Sequence, residues 1–171
     1  GGVTNVIGQA AEERLQQIAT TPELEKAAKT LFSSLVNPGA NGHRETLKPI
    51  SKPSGEAEQK IITHFEKHGF ITESKAGIEL SHEALTRNWS TLKKWIREKR
   101  EILEIKERIE AAQSNWNKFQ QPIDMLLKKG SPLEEAERIL DDHRDVDITG
   151  IQDYIQQSIA FQRKQALKQS L

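Results

Sequence analysis

The sequence predicts a mainly α protein: a winged-helix domain with a small β wing, followed by a long helix and a helical extension. Three observations carry that prediction. Apolar residues recur at helical spacing through most of the 171 residues. Two short apolar–polar alternations, Phe70 to Glu73 and Ile78 to Leu80, flank Ser74-Lys75-Ala76-Gly77 as the strands of a hairpin flank its loop. Trp95, Ile102, Ile109 and Trp116 repeat every seven residues along an otherwise charged stretch. The two parts are expected to meet at Trp89, with the winged-helix domain over residues 1–89 and the long helix and its extension over residues 90–171.

Taken in order, Val6, Ile7, Ala10, Ala11, Leu15 and Ile18 form the apolar stripe of a leading helix. Thr21 is the expected N-cap of the second helix, with Pro22 in its first turn, where a missing N–H costs nothing. Its stripe is Leu24, Ala27, Ala28, Leu31, Phe32 and Leu35, and Asn37-Pro38-Gly39 is expected to end it. His43 to Ile50 reads as extended, and Pro49 places it at the edge or end of a strand. Ser54 is the expected cap of a third helix with Ala57, Ile61, Ile62 and Phe65 inward, and Gly69 occupies its left-handed C-terminal position. Helix, strand, helix and two-stranded wing, after an extra leading helix, is the element order of a winged-helix domain whose second helix is shrunken or missing.

Ser81 is expected to open the next helix, and Trp89-Ser90 to break or bend it. Beyond the break Leu92, Ile96, Leu103 and Ala112 flank the heptad positions, while Lys94, Arg97, Glu98, Arg100, Glu101 and Glu104 occupy the other faces. So narrow a seam needs a cover. The chain's own C-terminal helices are the preferred one, ahead of a coiled coil between subunits. Ile123, Leu126 and Leu127 begin a short helix closed by Gly130. Ser131-Pro132-Leu133-Glu134 reads as a capping box for a helix carrying Ala136, Ile139 and Leu140. Thr149 is the expected cap of a last helix with Ile151, Tyr154, Ile155 and Ile159 inward, and the polar run from Arg163 to Leu171 reads as a lead into a further domain.

Composition narrows the function. Apolar residues are 35% and charged residues 29%, lean in core formers but too apolar for disorder. Lysine plus arginine and aspartate plus glutamate number 25 each, so no net charge draws the chain to nucleic acid or anionic lipid. With no cysteine, disulfides and thiolate metal sites are excluded, which fits a reducing, cytoplasmic setting. No apolar run reaches membrane-spanning length and no signal peptide opens the chain.

Few residues invite chemistry. His64 and His68 lie four apart on one helix face, a spacing that can hold zinc, but no third ligand or metalloprotease motif accompanies them, and a solvated pair near a helix C-terminus is the preferred reading. Ser81, His82 and Glu83 spell the letters of a catalytic triad, yet neighbours in sequence cannot adopt the relay geometry, so no catalytic residue is assigned. No glycine-rich phosphate loop occurs, so no enzyme activity and no cofactor is expected of this chain alone. As a DNA reader it would be weak: the helix before the wing carries Glu56, Glu58 and Glu66 against Lys60 and Lys67. A winged-helix DNA-binding or protein-interaction module is kept as the alternative function.

One run of sequence points further. "IELSHEALTRNWSTLKKWI" followed by "REILEIKERIEAAQSNW" resembles the end of the NTPase module of STAND signalling ATPases, and most of all the bacterial novel STAND group, which often precedes a WD-repeat propeller. "AAKTLFSSLV", "RETLKPI" and "ITGIQDYIQQSIAFQRK" extend the likeness over nearly the whole chain. The resemblance implies a regulatory module between an upstream nucleotide-binding domain and a downstream sensor or effector domain, with ADP or ATP bound by the parent protein and its self-association left open. It also implies that a histidine at the start of the last winged-helix helix reaches the ADP phosphates. His82 stands at that position, with Ser81 holding the turn. A helix N-terminus there would present unpaired N–H groups to the anion.

Overall fold

The computed structural model of the chain describes residues 3–40 and 42–170. They form a mainly helical protein with two small antiparallel sheets, in the order α1 (Val3–Ile18), α2 (Pro22–Ser34), β1 (Val36–Asn37), β2 (Thr46–Leu47), α3 (Glu56–Lys67), β3 (Ile71–Ser74), β4 (Gly77–Leu80), α4 (Leu85–Asn88), α5 (Ser90–Lys118), a single 3-10 turn (Ile123–Met125), α6 (Ser131–Asp141) and α7 (Gln152–Gln169). The chain divides into two compact units, Gly1–Arg100 and Glu101–Leu171. The division falls inside α5, because Trp95, Ile96 and the buried Lys99 belong to the first core.

In the first unit α2 begins as its sequence dictates: Thr21 Oγ1 accepts from Leu24 N at 3.1 Å, and Pro22 follows in the first turn. α2 is followed by a strand rather than directly by the expected Asn37-Pro38-Gly39 turn, since Val36 and Asn37 pair with Leu47 and Thr46 and Asn37 is already strand. α3 is capped by Gly55, not Ser54. The bare glycine leaves room for Glu58, at the third helical position, to fold back over it. Gly69 is left-handed, with φ of 80°. There the Gly69 amide reaches Glu66 O and the Phe70 amide reaches Phe65 O, closing α3.

The hairpin pairs Ile71 with Leu80 and Ser74 with Gly77. Ile50 adds a third, one-residue rung, exchanging backbone hydrogen bonds of 2.9 and 2.8 Å with Ile78. Gly77 is required by that approach: its φ is 118°, and a Cβ would stand 1.9 Å from Ile50 O. Beneath the hairpin lies an aromatic centre. The Phe32 ring meets Phe65 at 4.8 Å and Trp89 at 5.0 Å, both edge to face, and stacks on Trp95 at 6.1 Å.

The second unit has its own core. Ile102, Ile109 and Trp116 of the heptad are buried with Ile139, Tyr154 and Ile155, so the C-terminal helices cover this part of the seam. Trp95, expected under the same cover, is buried in the first core instead. Ile105 is buried as well, while Leu103 is exposed. The short helix expected over Ile123 to Leu127 is only the 3-10 turn. Leu126 is extended because α7 satisfies the backbone here: Ser158 Oγ accepts from Leu127 N at 3.0 Å, Gln162 Nε2 donates to Leu127 O, and Tyr154 OH donates to Met125 O. α6 starts at Ser131 with Gly130 as its cap residue, so the expected capping box is not formed. α7 starts at Gln152. Thr149 lies outside it and directs both its amide and its hydroxyl to Asp147 Oδ1.

Candidate functional site

The site expected at Ser81 and His82 lies where β4 gives way to helix. Leu80 is the last strand residue, and α4 does not begin until Leu85. Between them Leu85 N donates to His82 O and Thr86 N to Glu83 O, a turn rather than the first turn of a helix. Ser81 therefore caps no helix. Its amide donates to Phe70 O at 2.9 Å and its hydroxyl shares a short hydrogen bond with Thr72, which ties the corner back to β3. His82 and Glu83 are exposed beside it. α4 has four residues, too few aligned peptides to build an anion-attracting terminus, and it begins three residues beyond His82. The corner offers an exposed imidazole on a braced turn, without the helix-end field expected of it.

The break beyond α4 is real. Trp89 is extended, with φ of −105° and ψ of 104°, and α5 begins at Ser90. What holds it is a residue that sequence reasoning passed over. Glu12 of α1 accepts from Trp89 Nε1 at 2.9 Å and from Thr91 Oγ1 at 2.6 Å on one carboxylate oxygen, and from Gln16 Nε2 at 2.6 Å on the other. Burial pushes this carboxyl up, but the donors Thr91, Trp89 and Gln16 outweigh it and hold Glu12 below the ordinary carboxylate value. One turn earlier Gly8 lets the α1 backbone rest on Asn88, where a Cβ would stand 1.9 Å from the carbonyl oxygen. The signal was faint: Gly8 and Glu12 share a helix face bordering Ala11 and Leu15.

A second pair of polar residues fixes the other end of this segment. Lys99 Nζ, from within the core, donates to Ser33 O at 2.8 Å and Val36 O at 3.2 Å, closing the C-terminal end of α2. Arg100, expected on an outer charged face, donates to Pro38 O and Gly39 O. Lys99 was visible as the one charge at the stripe spacing set by Leu92, Trp95 and Ile102.

His64 of α3 and His68, the residue just past its end, do stand together, ring centroids 4.9 Å apart. No group of three metal-ligating side chains occurs among the described residues. Slight desolvation and the neighbouring Arg14, His64 and Lys67 hold His68 below the ordinary histidine value. Among the described residues no helix is long and apolar enough to cross a membrane.

Compared with known families, residues 1–124 match the model of the family described as Novel STAND NTPase 1. No curated protein and no solved structure matches the chain.

Proposed function

The chain belongs to the novel STAND NTPase 1 family, and from that premise we propose that it is a non-catalytic regulatory module, closing on a nucleotide-binding domain of its parent protein and relaying that domain's state to a downstream sensor or effector domain. The observation that carries this reading is the exposed His82 on a braced strand-to-helix corner within the matched residues. In this reading residues 1–89 act as a winged helix with β3 and β4 as its wing, and ADP or ATP is held by the parent, a cytoplasmic signalling ATPase. His82 senses the nucleotide as a charged or neutral donor to a phosphate oxygen, and Ser81 holds the turn that presents it. The weakness of the local helix end means that the ring itself must supply the contact.

The surface around the hairpin supports this over a DNA reader. Lys52 stands 3.5 Å from both Glu66 and Glu73, so its charge is already met by carboxylates, and Glu83 adds exposed negative charge at the strand-to-helix corner. Phosphate backbones are bound by surfaces of the opposite sign.

The test is ADP dissociation from the full-length parent protein, wild type against His82→Ala. A charge-assisted hydrogen bond contributes roughly 1.5–3 kcal/mol, so release should quicken by about tenfold or more. Equal rates from two folded proteins would reduce His82 to a structural corner.

A further inference from the structure

We propose that Glu12 is the clasp that keeps α4 and α5 apart, and that releasing it lets them join into one continuous helix. The break at Trp89 is marked but not forced by its own residues: Ser90 is a capping type, and Asn88 Nδ2 donates to Ala84 O at 2.9 Å. No glycine or proline occurs between Ser81 and Lys118, although sharp helix interruptions nearly always occur at such residues or where another group intrudes. The apolar stripe runs straight through it: Leu85, Trp89, Leu92 and Ile96 are spaced as one helix face, and all four are buried. A joined helix would keep the same side chains on the same face.

The group that spans the break is the Glu12 carboxylate, through side-chain donors on either side of it. One of its oxygens takes Trp89 Nε1, before α5, and Thr91 Oγ1, within its first turn. The first-turn amides of α5 lack helical acceptors, and a carboxylate is favoured beside them. Gly8 seats the α1 backbone on Asn88, so α1 meets the break through backbone as well as side chain. Against this stands the alternative. In a joined helix the amides of Ser90, Thr91 and Leu92 would find the carbonyls of Thr86, Arg87 and Asn88. A four-residue α4 has little helical stability of its own to lose. Two arrangements thus share one apolar face, the first held by α1 and the second by backbone hydrogen bonds. The position of α1 is thereby read out as a broken or a continuous helix, whatever domain acts on α1.

Residue-resolved hydrogen exchange on the whole 171-residue chain tests this. In Glu12→Ala, exchange at Ser90, Thr91 and Leu92, corrected for intrinsic rates, should slow by about tenfold or more, the protection that one added hydrogen bond gives, while α3 and hairpin amides keep wild-type rates. Unchanged or faster exchange at those three amides in a folded variant overturns the proposal. Should Glu12→Ala fail to fold, Thr91→Val, which spares the Trp89 contact, decides by the same criterion.

Discussion

Lys99 places its amine inside the first core and directs it to the carbonyls of Ser33 and Val36, where α2 ends and β1 begins. The stem of the side chain continues the apolar stripe, and only its tip is polar. Lys99→Met should keep the packing and strip both carbonyls of a donor, costing about 1–3 kcal/mol in urea unfolding. His68 offers a pH-dependent counterpart. Desolvation first, then the electrostatic influence of Arg14, His64 and Lys67, lowers its pKa from the ordinary 6.5, so the unfolded chain binds the proton more readily. Its contribution is therefore complete above that ordinary value and is lost as pH falls toward the folded one. His68→Gln should lose less stability than wild type between about pH 7 and pH 5, as measured by urea midpoints at each pH.

At the scale of elements, the seam of α5 carries the clearest energetic expectation. Ile109 is 3% exposed, beneath Ile139 and Tyr154 in the second core, and Ile109→Ala should cost about 2–5 kcal/mol in thermal or urea unfolding. A near-silent change would mean that the seam is held by something other than its apolar cover. The helices themselves were legible because period and composition are local properties. Their first residues were less so. Thr21 caps as read, because nothing competes for its hydroxyl. Ser81 and Thr149 have the same chemistry, but their oxygens go to Thr72 and Asp147, and α4 and α7 start later. Asp147 was near enough in sequence to be weighed. Thr72 reaches Ser81 only once the hairpin has closed. Likewise Leu126 and Leu127 have a helical pattern but lie outside any helix, because Ser158 and Gln162, a full helix away, supply the hydrogen bonds of Leu127.

At the scale of the whole molecule, the candidate site was half legible. The corner and its histidine are written in one continuous run of residues. The contact at the α4–α5 break beyond it is not: Glu12 meets Trp89 across 77 positions, and no local pattern announces that pairing. The chain as it stands carries no phosphate loop, so the purified protein should show no ATP turnover above buffer in a steady-state assay. Turnover that survives repurification and disappears with a point mutation in this chain would contradict that. The two cores also divide the chromophores. Trp89 and Trp95 lie in the first, while Trp116 lies in the second with Tyr154, ring centroids 5.0 Å apart. Tyr154 is the only tyrosine in the sequence. At that separation its excitation passes to the indole before it can be emitted, so the native protein lit at a tyrosine wavelength glows only as tryptophan. The appearance of a tyrosine band is then an optical signature of the second core coming apart, supplied by the chain without any label.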